Sequence, residues 1–471
     1  MKAKGNRSLI FTGAVFTALL AVMMIYVSWY SYAHRIEFVD NSYNRRASQL
    51  ARENKRGRIL SCDGEELAVS DVDSEGNEKR IYPYGEQFAH VVGFSEMGGS
   101  GIEDLANYYL LSCDASLSTR AEYQDKGLKF PGNDVHTTVN ASLQRLAYYS
   151  LGNYDGAVII SNPKTGAILA MVSRPDFDPN DISGQWKTLS QDKQNAPLLN
   201  RAAQGLYPPG STFKIVTSLE YIRENQKNYN DFHYKCSGSF TYDGTRIGCF
   251  HNTVHGDQDF SKAFANSCNS AFADIGVNLD QKQFASTLDG LMFNTDLPAC
   301  FPVSKSKAAA GDNISNDSRM QLAIGQGTTL VTPLHINMIT MAIANRGKLM
   351  KPYLLESVES ADRKTVKTFG SEEYGTLMTE EESRELTELM KGVVNGGTAK
   401  GLRGMSYNAA GKTGSAEFRT GSTDSHAWFT GFAPAQDPQI CVTVIMEKAG
   451  SGGHMAVPVA KRIFDEYFEG K

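Results

Sequence analysis

One long stretch near the start of the chain is predominantly apolar. The stretch 9–30 reads LIFTGAVFTALLAVMMIYVSWY and contains no charged residue. A helix of that length spans about 30 Å, the thickness of the hydrocarbon core of a bilayer. We therefore predict an uncleaved transmembrane anchor; a cleaved signal ending at Ala33 is the alternative, although the apolar run exceeds a typical signal core. Basic residues before the run place the N-terminus in the cytoplasm and the rest of the chain outside: Lys2, Lys4 and Arg7.

Polar and mixed patterns follow the anchor. The stretch from His34 to Arg58 is rich in arginine, and we predict a solvated helix next to the membrane, with lipid headgroups as an alternative contact. A small mixed region then continues to about Asn153, and it is divided by turns rich in Gly, Asp and Ser.

Strand patterns begin at Gly156 and return near the end of the chain. GAVIIS and AILAMVS, on either side of the turn NPKTG, predict a hairpin over 156–173. Late strands are predicted at 409–418, 426–433 and 440–448, before an amphipathic helix at 456–467. This order predicts an α+β fold with an antiparallel sheet flanked by helices. We divide the chain into a cytoplasmic tail and anchor (1–33), a small non-catalytic pedestal domain (34–153) and a large C-terminal domain (154–471).

Length and charge change this picture little. The 471 residues suit two or three domains. With 47 basic and 52 acidic residues the formal net charge is −5, which does not indicate a nucleic-acid partner. The functional prediction must therefore come from local motifs.

Three short motifs carry candidate chemistry. Ser211 and Lys214 are three positions apart at the predicted start of a helix, so both lie on one face, and a buried lysine can act as base towards a serine hydroxyl. Ser267-Cys268-Asn269 offers two polar groups that can pass a proton and hold an amide. Lys412-Thr413-Gly414 begins a strand and offers a cation, a hydroxyl and room for a substrate backbone. Each motif alone is also explained by ordinary helix caps and surface positions.

Together and in this order, the motifs resemble the signature S-x-x-K, S-D-N and K-T-G of serine β-lactamases and penicillin-binding proteins. Cys268 departs from the aspartate of that signature. Longer phrases from Gly156 onward resemble class B penicillin-binding proteins in particular: NPKTGAILAMVSRPDFDPN, PLLNRAAQGLYPPGSTFK, AIGQGTTLVTPLHINMITMAIANRGK and AAGKTGSAEF. The resemblance implies that residues 154–471 form a transpeptidase domain of the penicillin-binding and β-lactamase-like fold.

The resemblance also implies a role for each motif residue. Ser211 matches the acylated nucleophile and Lys214 its general base. Ser267 matches a proton relay and Asn269 an amide that orients the substrate. The remaining matches hold the terminal carboxylate of the substrate or line the oxyanion hole with backbone N–H groups: Lys412, Thr413, Gly414 and Ser415. The expected reaction is cross-linking of D-Ala-D-Ala stem peptides through an acyl-enzyme that β-lactams also form.

Partners and alternatives follow from the same resemblance. It implies peptidoglycan stem peptides, β-lactams and membrane lipid as partners, together with a polytopic glycosyltransferase that polymerises lipid II. It implies a location in the cell membrane and no required cofactor. A β-lactamase, a β-lactam sensor and a D,D-carboxypeptidase share the motifs but differ in size, membrane spans or N-terminal region. A scaffold with a decayed site is the alternative from another class, and the intact motifs argue against it.

Four residues near the second motif form a candidate metal set. The chain has 7 cysteines, an odd number that cannot all pair internally. Cys236, Cys249, His255 and Cys268 fall within a short span and could supply a tetrahedral zinc site with a structural role. A Cys236–Cys249 disulfide and three unrelated buried thiols remain open as alternatives.

Overall fold

A computed structural model describes residues 7–34, 46–73, 77–226, 228–417 and 424–470. The apolar stretch forms one helix, Arg7–Ala33. Its segment Leu9–Ala33 has a mean hydropathy of 2.3 and is not buried against the protein. Among the helices within the described ranges, this is the one that is long and apolar enough to cross a membrane. Of the predicted juxtamembrane helix, residues 35–45 lie outside the described ranges. The described part is helical only over Arg46–Glu53, because a strand begins at Asn54, so the prediction of a helix up to Arg58 was wrong.

A six-stranded sheet forms the core of the N-terminal part, in the order β15-β14-β6-β2-β3-β4. Strands β14 and β15 come from the C-terminal half of the chain, and β14 pairs antiparallel with β6. The sheet therefore connects the pedestal region to the larger domain. Its strands are β2 (Ile59–Leu60), β3 (Glu66–Val72), β4 (Glu78–Ile81), β6 (Asp134–Thr137), β14 (Leu355–Glu359) and β15 (Thr365–Thr368). The other elements of this region are β1 (Asn54–Lys55), β5 (Phe130–Pro131) and the helices Ala89–Val92, Gly101–Leu105, Asn107–Leu111, Leu117–Asp125 and Ala141–Ser150.

A buried cluster of charges lies beside this sheet. The carboxylate of Glu103 is fully buried and accepts hydrogen bonds of 2.6 Å from Arg56 Nε and 2.6 Å from Arg80 Nε. Burial alone would raise the pKa of Glu103, but the two guanidinium groups hold it below its ordinary value. The cluster joins the first strands of the region to the helix Gly101–Leu105.

An antiparallel five-stranded sheet organises the C-terminal domain, in the order β17-β18-β19-β7-β8. The hairpin, the late strands and the α+β class are confirmed. All residues of β7, β18 and β19 are buried, so the strands lie inside the domain. The bounds are β7 (Gly156–Ser161), β8 (Ile168–Arg174), β17 (Ala410–Glu417), β18 (Ser425–Ala433) and β19 (Ile440–Met446).

Helices cover this sheet. The helix Pro333–Ala344 is buried at every position and packs against β7, β18 and β19. The last helix, Gly452–Glu469, is longer than predicted and packs against β17, β18 and β19. The other helices are Ile182–Gln191, Lys214–Glu224, Phe260–Ala265, Asn269–Asn278, Gln281–Gly290, Asn316–Ala323 and Glu380–Asn395. Short strand pairs complete the domain: β9 (His233–Cys236) with β12 (Gly256–Asp259), β10 (Ser239–Tyr242) with β11 (Thr245–Gly248), and β13 (Lys348–Met350) with β16 (Glu373–Thr376).

Candidate active site

Ser211 lies on a tight turn that leads into a helix. The turn Gly210–Phe213 is a short 3-10 segment, and the α-helix begins at Lys214 rather than at the serine. Gly210 has φ +52°, and its N–H donates to Gly325 O at 2.8 Å. A Cβ on Gly325 would come within 2.1 Å of Gly210 O, so only glycine permits this approach. The two glycines therefore fix the backbone next to Ser211.

Lys214 is fully buried one turn after Ser211. Its ammonium donates to Ser267 O and to Asn269 Oδ1, each at 2.7 Å, and lies 3.4 Å from Ser267 Oγ. Burial lowers the pKa of Lys214 from 10.5 to about 7, while the nearby thiols of the cysteine cluster act in the opposite direction. A lysine with that pKa holds a substantial free-amine fraction near neutral pH and can serve as a base.

Ser267 connects the two lysines of the site. Its backbone has φ +56°, which turns the side chain away from a continuous helical path between Phe260–Ala265 and Asn269–Asn278. The hydroxyl oxygen accepts a hydrogen bond of 2.9 Å from Lys412 Nζ. Ser267 therefore lies between the ammonium groups of Lys214 and Lys412, where a hydroxyl can receive and pass on a proton.

The third motif forms the start of strand β17. Lys412 is fully buried, and burial, with the charge of Lys214 as a second cause, lowers its pKa well below the ordinary value. A Cβ on Gly414 would lie 3.1 Å from Pro209 O and 3.0 Å from Trp428 Cβ. The absence of a side chain at Gly414 thus lets the loop before Ser211 pack against the strand. The indole N–H of Trp428 donates to Pro208 O at 3.1 Å and holds the same loop.

The structure therefore brings the three motifs into one site, although 203 positions separate Ser211 from Gly414 in the sequence. Hydrogen bonds join Lys214 and Lys412 to Ser267. Asn269 also donates from Nδ2 to Gly248 O at 3.0 Å, at the end of β11. Ser415 accepts at Oγ a hydrogen bond of 3.3 Å from Gly452 N, at the start of the last helix.

Sequence reasoning missed two residues of this site. Gly325 supports the turn at Ser211, and Thr398 lies with Oγ1 2.5 Å from Thr413 Oγ1. Gly325 belongs to the phrase AIGQG, and Thr398 follows the pair Gly396-Gly397. Adjacent glycines indicate a turn or a close approach, but neither phrase states which other segment it meets.

The candidate metal residues converge behind the second motif. The Sγ atoms of Cys236 and Cys249 are 3.7 Å apart, those of Cys249 and Cys268 are 3.8 Å apart, and Cys236 Sγ lies 3.4 Å from His255 Nδ1. All four ligand atoms lie within 4.8 Å of one another. A zinc tetrahedron with Zn–S of about 2.3 Å and Zn–N of about 2.1 Å has edges of about 3.8 Å and about 3.6 Å, so these donors fit zinc.

The surroundings of the sulfur atoms suit thiolates. Gly238 N donates to Cys236 Sγ at 3.4 Å, and Ser270 N donates to Cys249 Sγ at 3.5 Å. The cysteines are free thiols, and a sulfur separation of 3.7 Å is far longer than the about 2.05 Å of a disulfide. Hydrogen bonds from N–H groups to the ligands are a usual feature around bound metals.

Comparisons with known proteins decide the family. The chain matches the penicillin binding protein transpeptidase domain over residues 156–465 and the penicillin binding protein A dimerisation domain over residues 56–135. It is 31% identical to the peptidoglycan D,D-transpeptidase PbpA of Mycolicibacterium smegmatis over 437 residues, which cover 86% of this chain and 88% of the relative. The chain belongs to the penicillin-binding protein family.

Solved structures agree with that assignment. Penicillin-binding protein A of M. tuberculosis, in an imipenem acyl-enzyme complex, is 28% identical, with a TM-score of 0.80 over 88% of this chain and 99% of that one. The D,D-transpeptidase domain of an Eggerthella lenta peptidoglycan glycosyltransferase is 28% identical, with a TM-score of 0.79 over 88% of this chain and 99% of that one. This penicillin-binding protein is a serine-type peptidoglycan D,D-transpeptidase of class B, as its motifs predict.

Proposed function

We propose that Ser211 is the nucleophile of this transpeptidase and that Lys214 takes its proton. The observation that carries the proposal is the buried pair Lys214 and Lys412, which meet at the hydroxyl of Ser267, with Lys214 one turn after Ser211 in the sequence. Because the pKa of Lys214 lies at about 7, its free amine can accept the proton when Ser211 attacks the carbonyl between two D-alanines. The bond to the terminal D-alanine breaks, and an ester forms on Ser211.

Protonation of the leaving amine completes the first acyl transfer. Ser267 accepts a hydrogen bond from Lys412 at 2.9 Å, so it can donate its own proton towards the leaving nitrogen and be reprotonated by a lysine. The backbone N–H groups of Ser211 and Ser415 stabilise the oxyanion of the tetrahedral intermediate. An amine of a neighbouring stem peptide then attacks the ester, which forms the cross-link and frees Ser211.

Substrate recognition uses the other motif residues. Asn269 orients the peptide amide of the substrate, and Lys412 and Thr413 hold its terminal carboxylate. Gly414 and Ser415 lie beside these groups on β17, where an extended substrate can align with the strand. A β-lactam acylates Ser211 in the same way, and the reaction then stops at the acyl-enzyme.

Penicillin labelling tests this assignment. Full-length protein in detergent should form a penicilloyl adduct on Ser211, located by mass spectrometry. Ser211→Ala should take no label, and Lys214→Ala should lose acylation by about 10³-fold or more, since base and nucleophile act as a unit. An adduct on the Ser211→Ala protein would refute the assignment, and an unlabelled wild-type protein would favour the decayed scaffold.

The catalytic domain lies outside the cell membrane in this proposal. The basic residues before the apolar helix support a cytoplasmic N-terminus, and the helix Arg7–Ala33 supports an anchor that is retained. Protease added to intact protoplasts should digest the part beyond the helix. Protection of that part until the membrane is broken would show the inverted topology.

The pedestal region, 34–153, orients the catalytic domain and docks a membrane glycosyltransferase that polymerises lipid II. The continuity of the six-stranded sheet with β14 and β15 supports the first role, because it couples the two regions mechanically. Replacement of this region by an unrelated spacer should leave penicillin labelling intact and abolish function in cells. Normal wall growth with the spacer would refute a docking role.

Zinc, held by Cys236, Cys249, His255 and Cys268, stabilises the segment that carries Ser267. The fit of the four donors to a tetrahedron supports this, and a bound zinc would supply structural cross-linking rather than a reaction step. Protein purified under reducing conditions without chelator should contain about one zinc per chain. Cys268→Ser should lose the metal, whereas Cys62→Ser, at an exposed thiol, should keep it. A disulfide found by thiol titration, or a thermal stability that is unchanged by a chelator, would exclude zinc.

A further inference from the structure

Two threonine hydroxyls meet at the third motif. Thr398 Oγ1 lies 2.5 Å from Thr413 Oγ1, and within the described part of the chain each hydroxyl has the other as its hydrogen-bond partner. Thr398 is exposed, whereas Thr413 is 4% exposed. The pair therefore reaches from the buried motif on β17 to the protein surface.

The direction of this hydrogen bond decides what Thr413 can do. A hydroxyl has one proton, and a carboxylate offers only acceptors. If Thr413 donated to Thr398, it would present only lone pairs to an arriving carboxylate, which would repel it. To hold a carboxylate, the Thr413 oxygen must instead accept the proton of Thr398 and direct its own proton at the substrate.

We propose that Thr398 is a positioning residue that sets this direction and so prepares Thr413 for the terminal carboxylate of the donor peptide. The inference rests on the proposed function of Thr413 and adds a residue that none of the three motifs contains. A hydroxyl whose proton is already directed needs no rearrangement when the carboxylate arrives, which strengthens binding.

The backbone of Thr398 is held from two sides. Its N–H donates to Ala265 O at 3.2 Å, two residues before Ser267. A Cβ on Gly397 would lie 2.3 Å from Ala265 O, and a Cβ on Gly453 would lie 2.6 Å from Thr398 O. These close approaches fix Thr398 between the segment that carries Ser267 and the start of the last helix, so its hydroxyl has a defined position beside Thr413.

Acylation kinetics of the full-length protein with benzylpenicillin test the proposal. The measurement separates the dissociation constant of the non-covalent complex from the first-order acylation constant. Thr398→Val keeps the shape and the backbone N–H but removes the hydroxyl, and should raise the dissociation constant about five- to tenfold, with the acylation constant within about twofold. Thr398→Ser, which keeps the hydroxyl, should behave as wild type.

A double-mutant cycle tests the partner. In a Thr413→Val background, Thr398→Val should add nothing, because the hydroxyl that it directs is gone. An unchanged dissociation constant in Thr398→Val, a Thr398→Ser protein that behaves like Thr398→Val, or full additivity would overturn the proposal. Thr398→Ala must repeat the result if Thr398→Val is unstable. If wild-type protein takes no label at Ser211, the proposed function is refuted, and this inference with it.

Discussion

The lowered pKa of Lys214 makes a quantitative prediction about the pH dependence of acylation. If Lys214 must be neutral to accept the Ser211 proton, the acylation rate follows its free-amine fraction. With a pKa of about 7, that fraction is about one in eleven at pH 6 and about ten in eleven at pH 8. Acylation by benzylpenicillin should therefore rise about tenfold between pH 6 and pH 8 and then level off.

An ordinary lysine would behave differently. With a pKa of 10.5, the free-amine fraction would rise about a hundredfold over the same two pH units and continue to rise above pH 8. The assay is the second-order rate constant of penicilloyl formation, read by stopped-flow fluorescence or quenched mass spectrometry at half-unit steps from pH 5.5 to about pH 9. A hundredfold rise, or a flat profile, would refute the role of Lys214 as a buried base.

The pH dependence of the unfolding free energy gives an independent measure of the pKa of Lys214. The unfolded chain binds a proton at Lys214 up to pH 10.5, whereas the folded protein releases it at about 7, so the destabilisation is complete below pH 7 and fades as the pH rises towards 10.5. Relative to Lys214→Met, wild type should gain about 2 to 3 kcal/mol of unfolding free energy between pH 6 and pH 9. A pH-independent difference in denaturation would contradict the shifted pKa.

Two further substitutions test packing, one beside the six-stranded sheet and one next to Ser211. Glu103→Gln should lower the unfolding free energy by about 3 to 5 kcal/mol, since it leaves two buried guanidinium groups without their carboxylate; Glu66→Gln, at an exposed ion pair, should change it by less than about 1 kcal/mol. Gly325→Ala should reduce penicillin acylation at least tenfold, because the added Cβ would lie 2.1 Å from Gly210 O and would force the turn that carries Ser211 to move. Gly64→Ala is the matched control, since it also has positive φ but open space around it. Equal losses of acylation in the two variants would mean that the positive φ, and not the clash with Gly210 O, causes the loss.

Local patterns were sufficient to predict the apolar helix, the hairpin, the late strands and the last helix, but not how distant elements meet. The hairpin of β7 and β8 follows from alternation around one turn, because its pairing partners are neighbours in sequence. The pairing of β14 with β6 joins residues more than two hundred positions apart, and short strands carry no signal that identifies such a partner. The division of the chain at 153 and 154 stays a prediction, and this pairing crosses it.

The candidate site shows the same limit. Its motifs were recognisable because the residue types and their order are specific, yet the motif spacing says nothing about Ser267 lying between two ammonium groups. Thr398 was missed because a threonine after two glycines is common in loops, and its significance comes only from the hydroxyl that faces it across the site.

The geometry of the second motif explains why its middle residue can depart from aspartate. Ser267 and Asn269 both face Lys214, with Ser267 O and Asn269 Oδ1 each 2.7 Å from its ammonium. Cys268 is fully buried and points the other way, with its sulfur 3.8 Å from Cys249. The middle position therefore contributes to the support of the motif and not to the proposed proton path. A change of side chain there is compatible with the same chemistry as long as the residues behind it change to match, and the thiols and imidazole that surround Cys268 are such a match.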